Sequence, residues 1–283
     1  MTAYPGFAVI LQRVLEHRGA DEDWLADSSG LAPAAVRAVL DGAVPDPEQL
    51  HVLAHALGYH VEDLFVLADI PVPVELTPLD PQASGPVNGL VERVDLLPPD
   101  QRRTIHALVA GLPQEPRPVP DGRVRPVPSV AEAGFSAALM TLLIHNRNLG
   151  SRVAYAMACM THGRMYLART TYRSMTDRPT QLKPDWILSI AAVVGIPAGD
   201  LSAMTGVPLP EEPLRGERRT AELRDLLWNC RRLTADQATQ VRDTADAMFV
   251  PVPEDASKEE WRRYYRAADG VWWGAPRVPE DQD

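Results

Sequence analysis

The chain contains one helical pattern twice, and this repeat restricts the fold more than any other feature of its 283 residues. The two best-matching segments, ALGYHVEDLFVLADIPVP and VVGIPAGDLSAMTGVPLP, align without a gap. The alignment places Gly58 opposite Gly195 and Asp63 opposite Asp200, in both cases 137 positions apart. Self-similarity at a fixed separation indicates a tandem duplication. We therefore predict two related units in the chain.

Helical periodicity dominates both units. Near the N-terminus, apolar residues recur at steps of three and four, namely at Phe7, Ile10, Leu11, Val14 and Leu15. Gly19 is expected to close this helix, Gly58 to act as a C-cap, and Thr234 with Gln237 to form a capping box. Few stretches alternate with β-branched residues, so strands are not expected. The predicted fold class is all-α, with each unit a helical head followed by a pair of helices.

Domain boundaries follow from the repeat and from one proline-rich stretch, PQEPRPVPDGRVRPVPS. We predict a first domain over residues 1–80, a helical appendage over 81–112, a linker over 113–129, a second domain over 130–212, and an appendage with a C-terminal tail over 213–283. The tail concentrates the aromatic residues Trp261, Tyr264, Tyr265, Trp272 and Trp273. Such a cluster is typical of a segment that docks on a core or a partner.

Charge is distributed unevenly along the chain. The net charge of −10 argues against attraction of nucleic acid to the whole surface. Residues 7–65 hold three basic and ten acidic side chains, a net charge of −7, whereas residues 140–183 hold seven basic and one acidic, a net charge of +6. A nucleic-acid-binding surface is therefore expected in the second half.

The compartment is inferred from cysteine usage and hydropathy. Cys159 and Cys230 are far apart, which is typical of free thiols in a reducing cytosol. No basic leader precedes an apolar run, and no run reaches the 18 or so residues of a membrane helix. The 26 arginines against two lysines indicate a GC-rich bacterial genome. We expect a cytoplasmic bacterial protein with no membrane partner.

The first head resembles the helix-turn-helix domain of the phage-repressor (XRE) family over about residues 7–67. The resemblance depends on Leu11, Gly19, Leu25-Ala26, Gly30, Val36, Val39, Asp41-Gly42 and the segment LHVLAHALGYHVEDLF. It implies a compact five-helix domain, dimeric binding to duplex DNA, and a recognition helix in the major groove.

The first copy departs from the family where DNA is expected. Its second helix opens with Asp21, Glu22 and Asp23, whose carboxylates accept hydrogen bonds and repel phosphate. Its expected recognition helix, LAPAAVRAVLDG, presents alanines and a single cation, Arg37, although base edges require bidentate donors. We predict that this copy no longer binds DNA and instead makes protein contacts.

The second copy, about residues 136–205, keeps the required chemistry. Residues 161–175, THGRMYLARTTYRSM, are predicted to form one recognition helix that buries Met165, Ala168, Tyr172 and Met175. Gly150 to Gly195 spans 45 residues against 39 for Gly19 to Gly58, and we expect the extra length after this helix. The predicted DNA-binding residues are Arg147, Ser151 and Arg152 at phosphates, and His162, Arg164, Tyr166, Arg169 and Arg173 in the groove.

No catalytic constellation is evident, so an enzyme is not expected. His51 and His55 lie four apart but lack the glutamate of the zinc-protease motif, and neither a phosphate-binding glycine loop nor a nucleophile elbow occurs. We expect no metal and no cofactor.

The appendages have apolar stripes, in the first Leu90, Val94, Leu97, Ile105, Leu108 and Leu112. Such stripes either pair two subunits or pack on their own head.

The resulting expectation is a transcriptional regulator that binds double-stranded DNA through its second domain. Its protein partner is a second copy of the chain or another regulatory protein, bound through the acidic first domain or the appendages. A single chain with two heads can also imitate a dimer. The alternative is a protein-interaction scaffold built from two degenerate heads. Salt dependence separates the two, because phosphate contacts give a steep dependence and apolar interfaces a weak one.

Overall fold

The computed structural model describes residues 4–119, 129–249 and residue 257. This part of the chain contains helices and turns but no strand, so the all-α prediction is confirmed. None of the helices in these ranges is both long and apolar enough to cross a lipid bilayer. The predicted aromatic tail and most of the linker, residues 120–128, lie outside the described residues.

Five helices form the first unit, and two more follow it. They are α1 (Phe7–Arg18), α2 (Glu22–Ser29), α3 (Pro33–Leu40), α4 (Pro47–Leu57) and α5 (Val61–Leu67), then α6 (Ser84–Asp95) and α7 (Pro99–Gly111). Short 3₁₀ turns at Val74–Leu76 and Pro81–Ala83 connect the two groups. Gly19 and Gly58 end α1 and α4 in the left-handed conformation, as predicted. Asp46 and Gln49 open α4 with a capping box.

The second unit repeats this order with changes at its start. Its helices are α8 (Val130–Ala133), α9 (Phe135–Thr141) continued by a π-helical turn (Leu142–Asn146), a 3₁₀ turn (Gly150–Arg152), α10 (Val153–Met160), α11 (Arg169–Asp177), α12 (Pro184–Val194) and α13 (Ala198–Thr205). After it come α14 (Glu217–Asn229), a 3₁₀ turn (Cys230–Arg232) and α15 (Ala235–Met248). The predicted capping box of Thr234 and Gln237 opens α15.

The two units pack against each other in a reciprocal way. Helix α1 of the first unit lies against α13 of the second, and α5 of the first lies against α9 and the π-helical turn of the second. Helices α5 and α13 are the repeats of each other, so each unit contributes its first and its fifth helix to the contact when the short α8 is left out of the count. The interface between the units therefore approximates a two-fold arrangement.

Two ion pairs join the units across this interface, and each has a buried aspartate. Arg147 of the second unit pairs with Asp63 of the first, and both side chains are almost completely buried. Arg147 Nη2 lies 2.6 Å from Asp63 Oδ2 and also donates to the carbonyl of Val194 at the end of α12. Asn146 donates a further hydrogen bond to the same carboxylate over 2.9 Å.

The second pair repeats this arrangement with the roles of the units exchanged. Arg18 of the first unit pairs with Asp200 of the second, with Arg18 Nη2 2.6 Å from Asp200 Oδ2. The same nitrogen donates to the carbonyl of Leu57 at the end of α4 over 2.8 Å. The hydroxyl of Tyr59 donates to the carboxylate over 2.9 Å. Asp63 and Asp200 are thus equivalent in contacts as well as in sequence.

The helical pairs pack on each other rather than projecting outward. Helix α6 lies against α14 and α15, and α7 lies against the same two helices. Helix α6 also lies against α10 of the second unit. The apolar stripe of the first appendage is buried at Leu90, Val94, Leu97 and Ile105 and half-buried at Leu108 and Leu112. The stripes were expected either to pair two subunits or to pack on their own head. Neither alternative describes them fully, because the appendages pair with each other within one chain.

One histidine occupies a cationic and aromatic environment beside the Arg147–Asp63 pair. The ring of His60 stacks on Trp228 with a centroid distance of 3.4 Å. The guanidinium groups of Arg147 and Arg231 lie over the same indole ring. Burial lowers the pKa of His60, and the charge of Arg147 lowers it further.

This environment predicts a loss of stability in mild acid. The folded state holds His60 neutral, so the unfolded state takes up the proton first as the pH falls below about 6.5. The free energy of unfolding should therefore decrease as the pH falls below about 6.5. The variant His60→Phe keeps the ring stack without the titration, and its urea midpoint should change less over this range. Equal pH dependence of the midpoint in both proteins would contradict the assignment.

Candidate nucleic-acid interface

The segment predicted as one recognition helix is a turn followed by a shorter helix. Helix α10 ends at Met160 and α11 begins only at Arg169. His162 and Gly163 adopt positive φ angles of 51° and 79°, which belong to the left-handed region and interrupt a right-handed helix. The prediction of one helix over residues 161–175 is therefore wrong for residues 161–168, because the glycine permits a turn that the apolar spacing did not reveal.

Hydrogen bonds fix this turn to the helices on both sides. Thr161 donates to the carbonyl of Met157 over 2.6 Å and accepts from the backbone N–H of Met165. The hydroxyl of Tyr172 on α11 donates to the carbonyl of Met165 over 2.9 Å. Of the predicted buried stripe, Met165, Tyr172 and Met175 are buried, whereas Ala168 is exposed.

The extra length of the second copy lies before α11 and not after it. Residues 161–168 separate α10 from α11, where residues 30–32 separate α2 from α3. The loops that follow these helices, residues 178–183 and 41–46, are equally long. The expectation of a longer loop after the helix is therefore wrong.

Burial gives the correspondence between α3 and α11. Val36 and Val39 are buried on α3, and Tyr172 and Met175 are buried at the same spacing on α11. This alignment places Arg169 opposite Pro33 and Arg173 opposite Arg37. The two helices thus share an inner face and differ on the outer one.

Two arginines occupy the outer face of α11. Arg169 and Arg173 are both exposed and lie one helical turn apart, so their side chains project from the same face. Arg173 is 84% exposed and lies 3.5 Å from the carboxylate of Asp177. An exposed pair of this kind contributes little stability and leaves the guanidinium accessible. Thr170, also exposed, lies between the two arginines.

His162 and Arg164 do not belong to this face. Arg164 pairs with Asp185 on α12, with 2.8 Å between Nε and Oδ1, and donates to the carbonyl of Pro213 over 2.7 Å. His162 Nε2 lies 3.5 Å from the carbonyl of Gly216. The prediction that these two side chains share a face with Arg169 is wrong, because both point from the turn toward the start of α14 and the residues before it.

Arg147 is also withdrawn from the surface. Its side chain is 2% exposed and is fully engaged with Asp63 and Val194. The prediction of a phosphate contact at Arg147 is therefore wrong, because the residue joins the two units. Its position in a basic segment gave no sign that its partner lies 84 residues earlier.

Ser151, Arg152 and Tyr166 remain on the surface. Ser151 and Arg152 lie in the 3₁₀ turn before α10, and no side chain caps that helix. The charge of Arg152 lowers the pKa of Glu92 against the larger effect of burial, which raises it. Tyr166 is 66% exposed and lies three residues before Arg169.

Two further cations flank α11 and were not among the predicted site residues. Arg178 follows the helix directly, and Lys183 precedes α12; both are exposed. Thr170, Arg173, Ser174, Asp177 and Arg178 line a shallow depression along the helix. Both cations are part of the net charge of +6 that the sequence places in residues 140–183. The basic surface consists of Arg169, Arg173, Arg178 and Lys183.

The equivalent surface of the first unit is not basic. Asp21 caps α2 by accepting from the backbone N–H of Trp24 over 2.8 Å. Arg37 pairs with Glu22 at 2.5 Å. Pro33, Ala34 and Ala38 provide the remaining exposed surface of α3 and offer no side-chain donor.

Comparisons of the chain with protein-family models, with curated proteins and with solved structures find no match.

Because Arg147 is buried, we predict that replacing it lowers the stability of the fold much more than replacing an exposed arginine does. Arg147→Met leaves the Asp63 carboxylate buried without its partner, which typically costs about 3–5 kcal/mol. Arg173→Met removes only an exposed pair and should cost about 0.5 kcal/mol or less. Urea unfolding of the two variants measures the difference. Equal midpoints would show that Arg147 does not join the units as described.

Proposed function

We propose that this protein is a transcriptional regulator that binds double-stranded DNA through α11 of its second unit. The observation that carries the proposal is the pair of exposed arginines, Arg169 and Arg173, one turn apart on a helix whose inner face is fully packed. Arginine is the side chain best suited to the O6 and N7 acceptors of guanine in the major groove. In this proposal α10, the turn and α11 act as the helix-turn-helix of the phage-repressor family, with a longer turn than α2 and α3.

The start of α11 supports the proposal. Its sequence does not stabilise the helix, which suggests that these residues serve another purpose. Arg169 is the first residue of the helix, no side chain caps it, and no acidic residue occupies its first turn. A cation at this end opposes the helix dipole. The start of the helix thus lacks a side-chain cap and lies beside a guanidinium, a combination that attracts phosphate. Pro33 at the same position of α3 offers no guanidinium.

The flanking cations complete the proposed contact surface. Arg178 and Lys183 lie beyond the C-terminal end of α11, and Arg152 precedes α10. Contacts with phosphates position a protein on the duplex, whereas contacts with bases select the sequence. We assign Arg169 and Arg173 to base edges, and Arg152, Arg178 and Lys183 to phosphates. Tyr166 and Ser151 lie at the margins of this surface.

The equivalence of the two helices supplies a matched pair of variants. Arg173→Ala should weaken binding to duplex DNA from upstream of the protein's own gene about 5- to 150-fold, which corresponds to about 1–3 kcal/mol for one base contact. Arg37→Ala removes the equivalent guanidinium from the first unit and should leave affinity unchanged. Fluorescence anisotropy with labelled duplex measures both.

The opposite result, with Arg37→Ala reducing affinity and Arg173→Ala having no effect, would move the site to the first unit. If neither the native chain nor the variants bind this duplex or a random duplex pool at low salt, the protein is instead a scaffold.

The phosphate contacts predict the salt dependence of binding. Each neutralised phosphate contributes about −0.9 to the slope of log affinity against log salt on duplex DNA. Arg178→Ala and Lys183→Ala should each make this slope shallower by about 0.9 and lower affinity equally for all sequences. Anisotropy titrations over a salt series, with a specific and a scrambled duplex, measure both effects. Unchanged slopes in both variants would remove these two residues from the surface.

A further inference from the structure

The contacts between the two units have the form of a subunit interface. In a two-fold dimer, residue i of one subunit meets residue j of the other, and j meets i in return. Here an arginine from the first helical segment of each unit reaches the aspartate on the fifth helix of the other. The pairs are Arg18 with Asp200 and Arg147 with Asp63. Each arginine also binds the last carbonyl of its own unit's fourth helix.

This interface is a permanent part of the fold. Asp63 and Asp200 are 0% and 3% exposed, and each accepts from an arginine and from one further side chain. Opening the interface would leave these charges without their partners, which is strongly unfavourable. The four-helix contact of α6, α7, α14 and α15 ties the units together a second time. The surface that pairs the heads is therefore already occupied within one chain.

Only one of the paired heads offers groups that can recognise bases. The outer face of α11 presents two arginines, Arg169 and Arg173, whereas that of α3 presents Pro33 and one arginine, Arg37. Arg37 lies closer to its carboxylate partner, at 2.5 Å, than Arg173 does, at 3.5 Å. A repressor dimer with two equal heads recognises two inverted half-sites about one helical turn apart. A pair of heads with one active surface has no means of recognising the second half-site.

We propose that a single chain is a complete DNA-binding module that recognises one half-site without an inverted repeat. This inference rests on the proposed function, since it specifies the DNA that α11 binds. The first unit takes the place of the second subunit and holds α9 and the π-helical turn through α5, but it contributes no base contact.

Selection of the full-length chain against a random duplex library, followed by sedimentation equilibrium, tests the inference. The selected duplexes should share one short asymmetric sequence. The free chain should sediment at 31.1 kDa, the mass of one chain. The complex with one selected duplex should contain one chain.

A control duplex carries two inverted copies of the selected sequence, one helical turn apart. Two chains should bind it independently, with the affinity of a single copy for each. A palindromic selected sequence, two chains on a single copy, or at least 10-fold tighter binding to the inverted pair would overturn the inference while leaving DNA binding intact.

Failure to select any sequence, with no binding at low salt, would overturn the proposed function and the half-site together. The mass of the free chain is informative in either case, because a stable dimer of chains contradicts a self-sufficient module.

Discussion

The two Arg–Asp pairs between the units, each with a buried aspartate, are the interaction on which the rest of the structure depends. A buried charge is costly unless its partner and its remaining hydrogen bonds are in place. Asp63 receives Arg147 and Asn146, and Asp200 receives Arg18 and Tyr59, so both requirements are met in one relative position of the units. Apolar packing alone would tolerate small shifts of one unit against the other, whereas the Arg–Asp pairs do not. They fix how α9 and α12 lie, and through them α11.

The two units bury side chains at the same helical positions and differ at the outer ones. Val36 and Val39 on α3, like Tyr172 and Met175 on α11, fill the core at the same helical positions. The outer positions are exposed, and they carry alanines on α3 and arginines on α11. The longer turn before α11 adds a second difference, because it is held by Arg164 and Asp185 instead of by a short connection.

Local patterns predicted the helices, but not the partners of charged residues. The fold class, the C-caps at Gly19 and Gly58 and the capping box at Thr234 follow from spacing within one helix, and all are present. The role of Arg147 could not be predicted, because its partner comes from the other unit. The turn at His162 was missed since a single glycine in an otherwise periodic segment is weak evidence against a helix.

The acidic character of the chain is compatible with a basic contact surface on one helix. Screening at physiological ionic strength limits the reach of an exposed charge to about 8 Å, so a phosphate beside Arg169 responds mainly to nearby groups. The acidic residues around α2, Asp21, Glu22 and Asp23, are exposed or half-exposed and repel any duplex that approaches them. If α11 binds DNA as proposed, an acidic first unit disfavours other orientations of the duplex and leaves the contact at α11 unaffected. In the proposed function, the acidic net charge therefore contributes to selectivity, and the exposed arginines of α11 supply the attraction.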